Sequence, residues 1–378
     1  VKVSCLQENL SKGLGIVGRA VSSRSSLPVL SNVLLATEGG RLKLSATNLE
    51  IGINCWVGAK VGEEGAVTVP ARLLTDFVNS LPPEPIDLEL SVRTQTLHAR
   101  CARFEANIKG IDAQEFPIVP SAEEGARFIH LDAVALRQMI SRVVFAAAAD
   151  ESRPILTGVL TVFDKDRLTM AAADGYRLSV QHIPLDQGVG ERLEVIIPAR
   201  ALAELARVLA DQTEPVGAVV TPARNQVLFH LHDIDLISQL IEGRFPDYHQ
   251  IIPASHANRA VLDVGALLKA TRLAHLFARD AANIVRIEIA AGDELTPGRV
   301  TLAATSSELG DNVGQLDATV EGEPIEIAFN AKYLIDVLSV VDTVQVSLDT
   351  TSPSSPGVLR RLGDDAFIHV IMPMHLSR

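Results

Sequence analysis

The sequence predicts an α+β protein assembled from three copies of one unit, each an antiparallel sheet covered by two helices. Three observations carry that expectation. The passage VTVPARLLTDFVNSL, Val67 to Leu81, returns as VIIPARALAELARVL, Val195 to Leu209, and more faintly as IEIAFNAKYLIDVLSVV, Ile325 to Val341. Repetition at a fixed spacing marks a repeated structural unit. Upstream of each passage lie two runs rich in Val, Ile, Leu and Thr around a turn, and ahead of those lies an amphipathic helical pattern.

The elements follow in order. The opening helical patterns span 7–21, 132–147 and 263–279. Hairpins come next: SSLPVLSNVLLATEGGRLKLSATNLEIGI, Ser25 to Ile53, answers to ESRPILTGVLTVFDKDRLTMAAADGYRLSV, Glu151 to Val180, and to DAANIVRIEIAAGDELTPGRVTLAATSSELG, Asp280 to Gly310. Their turns are Glu38-Gly39-Gly40, Asp164-Lys165-Asp166 and the longer Gly292 to Gly298. Leu42, Leu44 and Ala46, like Leu168, Met170 and Ala172, alternate and so point to one face of a strand. At the second helices, Pro70 and Pro198 suit a first helical turn and Asn330 suits a cap. The segments GIDAQEFPIVP, Gly110 to Pro120, and IEGRFPDYHQIIP, Ile241 to Pro253, read as linkers near residues 121 and 254. The expected domains are therefore 1–121, 128–253 and 254–378.

Composition narrows the function classes. Apolar residues make up 47% of the 378, enough for several cores, yet no run approaches the 18 apolar residues of a membrane span. The first residues, VKVSCLQENLSKG, lack the layout of a secretory signal. Cys5, Cys55 and Cys101 are odd in number, far apart and free of any CxxC, which argues against a disulfide framework or zinc site and for the cytoplasm. A net charge of −12 argues against a general nucleic-acid binder, but a total is blind to placement. Six helical windows (7–24, 70–81, 132–147, 198–210, 263–279 and 330–341) carry +6 together, leaving −18 on the rest. Arg72, Arg200 and Lys332 occupy the same place in the three copies, each with an acid four residues on: Asp76, Glu204 and Asp336. An intrahelical ion pair is one reading. Like helices presenting cations to a phosphate backbone is the other, and repetition at matching positions favours it.

The motifs SSLPVLSNVLL, RPILTGV before AADGYRLSV, EGRFPDYHQIIP, FNAKYLIDVL and the terminal VIMPMHL, in this order, are specific together. On them the chain resembles the bacterial DNA polymerase III beta subunit, the sliding-clamp family, along essentially its whole length. The resemblance implies the DNA clamp fold, with three domains per chain, sheets outside and two helices inside each. It implies a head-to-tail homodimeric ring around duplex DNA, opened by an ATP-dependent clamp loader. The ring tethers replicative and repair polymerases and repair proteins through short linear motifs, without catalysis, cofactor, metal or membrane. Arg24 matches a DNA-contacting position of the family. Lys12, Arg19, Arg72, Arg137, Arg142, Arg200, Arg207, Lys269, Arg272 and Lys332 are candidates for the bore by helix placement. Asp150 and Pro154 stand where some relatives place polar or aromatic DNA contacts.

The resemblance also implies a partner-peptide pocket between the second and third domains. Carried over by position, it comprises Leu156, Ala173, Gly175, Tyr176, Arg177, Leu178, Pro246, Gln250, Ile251, Asn330, Tyr333, Val370, Ile371, Met372, Pro373, Met374, His375 and Leu376. Two methionines flanking a proline offer a polarizable surface suited to varied partners. The plain alternatives are a frayed tail for MPMHL and simple core for Leu156 and Leu178. His375 departs from the arginine common there, Ser377 and Arg378 extend the usual end, and Ala282 replaces a bulkier residue.

Other readings are weaker. GLGIVG, Gly13 to Gly18, matches a dinucleotide fingerprint with Glu38 downstream, but QENLSK separates it from the preceding strand. Glycines inside that helix instead suit close packing. HLHD, His230 to Asp233, places two histidines on one strand face without an evident third metal ligand. A repeat scaffold that never meets DNA is opposed by the charge placement.

Overall fold

The computed structural model describes residues 1–22, 27–123, 125–221, 225–280, 282–293 and 295–375. The chain forms two compact units, Val1–Val134 with Glu204–Leu240, and Ala135–Ala203 with Ile241–Arg378. Among the described residues there are six α-helices: α1 (Gln7–Val17), α2 (Ala71–Asn79), α3 (Ala133–Val143), α4 (Ala199–Val208), α5 (Val264–Ala278) and α6 (Ala331–Leu338). Short 3-10 turns extend α1, α3 and α4, which accounts for the longer expected spans.

The first unit holds two antiparallel sheets. One runs Ala59–Glu63, Lys2–Leu6, Pro85–Ser91, Thr96–Cys101, Phe104–Lys109. The other runs Ile129–Leu131, Val216–Thr221, Gln226–Leu231, Ile234–Gln239, Ile51–Val57, Arg41–Thr47, Asn32–Glu38, Ala66–Pro70. The second unit holds one twelve-stranded antiparallel sheet. Its order is Leu193–Pro198, Gly158–Asp164, Arg167–Ala173, Arg177–Pro184, Asp364–Ile371, Gly357–Arg361, Gln345–Thr350, Asn258–Asp263, Gly310–Gly322, Gly298–Ser306, Ile284–Ala290, Ile325–Asn330.

Side-chain period explains the layering. Leu10, Gly13, Leu14 and Val17 are buried at helical spacing on α1, while Val285, Ile287 and Ile289 are buried between exposed Arg286 and Glu288. Leu42, Leu44, Ala46, Leu168, Met170 and Ala172 are all buried, as their alternation requires. The expected hairpin turns form, with Gly39 and Gly40 at φ +57° and +73° and Lys165 at +51°. Positive φ at both central positions of the first turn matches the twist of its flanking strands.

Three expectations need correction. Pro70 and Pro198 end the strands before α2 and α4 instead of entering the helices, so each closes a strand without removing a helical donor. The GLGIVG glycines lie inside α1 and its 3-10 extension, with no strand-to-helix turn for a pyrophosphate. Only Gly13 answers to close packing: a Cβ there would stand 2.8 Å from Leu44 Cδ1 and Val57 Cγ2, whereas Gly15 and Gly18 have open space. In HLHD, His232 lies in the turn after the strand and not beside His230.

Candidate functional site

In the second unit, strand Arg167–Ala173 turns into Arg177–Pro184 through Asp174, Gly175 and Tyr176. The Asp174 carboxylate accepts from the backbone N–H groups of Tyr176 at 2.9 Å and Arg177 at 3.0 Å, and Gly175 takes φ +92°. Such a turn favours Asp and Gly because one caps the free amides and the other tolerates the left-handed backbone. Arg177 pairs in register with Ile371, and Leu178 with Val370. The C-terminal segment then stays ordered: Met372 N–H donates to Tyr176 O and Met374 N–H to Ala328 O, both at 2.8 Å. The frayed-tail alternative therefore fails through Met374.

Beneath this turn Ala173, Leu178 and Val370 are buried in one apolar cluster with Phe245 and Tyr248, and half-buried Leu156 packs on it. Of the other apolar candidates, Tyr176, Ile251 and Met372 remain 59%, 40% and 39% exposed. Pro373 and Met374 are half-buried, Pro246, Gln250 and His375 are exposed, and Leu376 lies outside the described residues. Ile371 belongs to a separate core, on which Tyr333 packs. Two polar candidates are already engaged. Asn330 caps α6 by accepting from Lys332 N–H at 2.9 Å, and Gln250 donates to Asp247 at 3.1 Å. Ala282 takes φ +54° in the turn after α5.

Arg177 is spent inside the protein. Its Nε donates to Asp174 at 3.0 Å, one terminal nitrogen to Asp336 at 2.6 Å and the other to Phe145 O at 2.8 Å. The guanidinium stacks on Tyr333, 4.3 Å from the ring centre. Sequence reasoning missed Asp174, Phe145 and Arg153, whose guanidinium donates to Asp174 O at 2.8 Å beside Gly175. The repeated turn could have signalled Asp174; nothing local signals the others. Buried His369, next to Val370, bonds Ser179 at 2.6 Å, and burial pushes its imidazole down to about 3, with Arg177 adding to the effect.

The candidate cations divide into classes. Lys12, Arg19, Arg72, Arg137, Arg200, Arg207, Lys269, Arg272 and Lys332 are exposed on their helices or at the helix ends. Arg142 is not: it is 6% exposed and bonds Asp342 at 2.6 Å, so its charge faces inward and it offers no surface to a phosphate. Arg24 lies outside the described residues. The expected i, i+4 pairs form only in the first copy, where Arg72 meets Asp76 at 3.8 Å. Glu204 turns instead to Arg207 at 2.6 Å and Arg19 at 3.4 Å, and Asp336 to Arg177. Among the described residues, no carboxylate lies within ion-pair distance of Arg137, Arg200, Lys269, Arg272 or Lys332. Nor is any group of three or more His, Cys, Asp or Glu side chains there placed to hold a metal ion.

Comparison with known proteins agrees along the full length. Family models for the DNA polymerase III beta subunit match residues 1–120 with the N-terminal domain, 130–247 with the central domain and 249–375 with the C-terminal domain. The beta sliding clamp of Synechococcus elongatus is 33% identical, covering 100% of both chains, and that of Staphylococcus aureus strain Mu50 is 31% identical over 94% of each. Among solved structures, the DNA polymerase sliding clamp of Bacillus subtilis superposes with a TM-score of 0.93 at 26% identity, covering 100% of this chain and 99% of that one. The DNA polymerase III subunit beta of Pseudomonas aeruginosa gives 0.90 at 30% identity, with 100% of each covered. The chain belongs to the DNA polymerase III beta subunit family.

Proposed function

We propose that this chain is a DNA sliding clamp, a non-catalytic processivity factor that encircles duplex DNA and tethers polymerases to it. The observation that carries the reading is the match of all three family domains in order across the chain. Three clamp domains over 1–121, 128–253 and 254–378, working in the cytoplasm, complete the reading. Among the described residues no helix is long and apolar enough to cross a membrane.

Two chains close head to tail, and the repeat supplies the contact. Within the chain, the last strand of the second copy, Ile234–Gln239, pairs with Ile51–Val57 of the first. The last strand of the third, Asp364–Ile371, pairs in the same way with Arg177–Pro184 of the second. One strand of each kind is left. Phe104–Lys109 is a sheet edge, and residues 310–318 pair on one side only, with Gly298–Ser306. Exposed Phe104 and Val313 lie on these segments, and exposed Leu309 immediately precedes the second. Pairing the first with the second in another copy repeats the internal joint, covers both edges and makes a heterologous contact that closes after two chains.

Lys12, Arg19, Arg72, Arg137, Arg200, Arg207, Lys269, Arg272 and Lys332, together with Arg24, are the DNA-facing cations in this reading. Charges on long exposed stems hold phosphates loosely and carry no sequence information, so the ring slides. Tyr176, Met372, Met374 and Ile251, over the floor of Ala173, Leu178 and Val370, form the groove for partner peptides. Primer extension on a long circular template, with clamp loader, ATP and polymerase, tests the function. Added chain lengthens the product made per binding event; unchanged product length contradicts the reading.

A further inference from the structure

We infer that Asp336 is a positioning residue for partner binding, holding the Tyr176 turn at the groove through Arg177; this rests on the groove reading above. The argument comes from comparing the same turn in the three copies. In the first, Asn48 accepts from the backbone N–H groups of Glu50 at 3.0 Å and Ile51 at 2.8 Å. In the third, Ser306 accepts from Glu308 and Leu309, both at 3.3 Å. In the second, Asp174 accepts from Tyr176 and Arg177. The position of Arg177 is thus filled by Ile51 and Leu309 in the other copies, and the turn forms there without a guanidinium. The charge at Arg177 serves something that the second copy alone requires.

Its partners show what that is. Tyr333 and Asp336 lie three residues apart on α6, on one helical face, and enclose the guanidinium by stacking at 4.3 Å and by an ion pair at 2.6 Å. Phe145 O and Asp174 accept from the other two nitrogens. A planar fork with each of its three nitrogens bonded to a fixed acceptor holds the backbone that carries it. That backbone bears exposed Tyr176, and Tyr176 O holds Met372 N–H. Both apolar lips of the groove therefore depend on one cage, anchored to α6 by Asp336. A lip fixed before the partner arrives loses less conformational freedom on binding. The corresponding acids do not reach the equivalent turns: Asp76 pairs with Arg72 on its own helix, and Glu204 with Arg207 and with Arg19 beyond α1.

The test measures affinity for the replicative polymerase purified from the same cells, using immobilised full-length chain. Asp336→Asn should weaken that affinity about tenfold, and Asp336→Glu should restore it to within about twofold, since the longer carboxylate still reaches the fork. Loss of a charge partner also lowers stability, so Asp342→Asn serves as the control: it removes the pairs with Arg142 at 2.6 Å and Arg361 at 3.0 Å without touching the turn. It should lower the melting temperature as much as Asp336→Asn and leave polymerase affinity unchanged. Equal affinity loss in both asparagine variants, or full affinity in Asp336→Asn, overturns the inference. Tyr176→Ala and Met372→Ala separate the two claims. If neither weakens polymerase binding, the groove reading fails; if both do and Asp336→Asn does not, only the positioning role fails.

Discussion

Gly13 and Gly15 occupy one helix and predict opposite outcomes. Gly13→Ala forces a methyl group to within 2.8 Å of Leu44 and Val57 and should cost about 1–3 kcal/mol in chemical denaturation. Gly15→Ala meets open space and should stabilise α1 by about 0.5–1 kcal/mol, because a helical glycine carries an entropic penalty. His369 makes a second prediction. Burial holds its imidazole down at about 3, so between that value and the usual 6.5 the unfolded chain binds the extra proton and the folded chain does not. Stability therefore falls as pH drops below 6.5, by about 2 kcal/mol at pH 5. His369→Gln should flatten this part of the pH profile; an unchanged slope would show that other groups set it. Residue roles were the least legible level of the sequence. Arg142 and Arg137 sit on one helix with the same charge, yet one is buried against Asp342 and the other is exposed. Asp336 and Glu204 share a position but turn to different arginines. Periodicity gives a helical face; it does not say which distant acid that face will meet.

At the scale of elements the sequence was far more informative. Both helices of every copy and the hairpins between them follow from apolar spacing and turn chemistry, and local signals suffice because each lies within a few residues of its cause. Strand pairing between copies was not legible, since nothing local marks Ile234–Gln239 as a neighbour of Ile51–Val57. That pairing yields the next prediction. Phe104→Asp or Val313→Asp places a charge on an edge of the proposed contact, and either should weaken dimerisation about tenfold or more in sedimentation. Mass unchanged across a dilution series in both variants would place the contact elsewhere. The cationic helices give another. Arg200→Gln with Lys332→Gln removes two charges that no carboxylate among the described residues engages. The salt dependence of DNA binding should flatten by close to two phosphate contacts, log affinity changing less steeply with log salt. A slope equal to that of the parent chain would remove both from the DNA-facing set.

For the whole molecule, a net charge of −12 coexists with helices that expose most of their lysines and arginines, so composition alone hid where the cations are displayed. The threefold repeat was the strongest signal in the sequence, and it also explains closure, because a unit joined to its neighbour twice within one chain can repeat the joint between chains. Weak phosphate contacts then suffice, since a closed ring leaves DNA only over an end. The most direct test loads the chain onto nicked circular plasmid with clamp loader and ATP, in salt that suppresses phosphate binding. The plasmid is then cut once, and DNA-bound protein is measured by gel filtration before and after. Retention on the circle and loss on linearisation is the expected result; equal retention on both forms, or on neither, would contradict a topological grip.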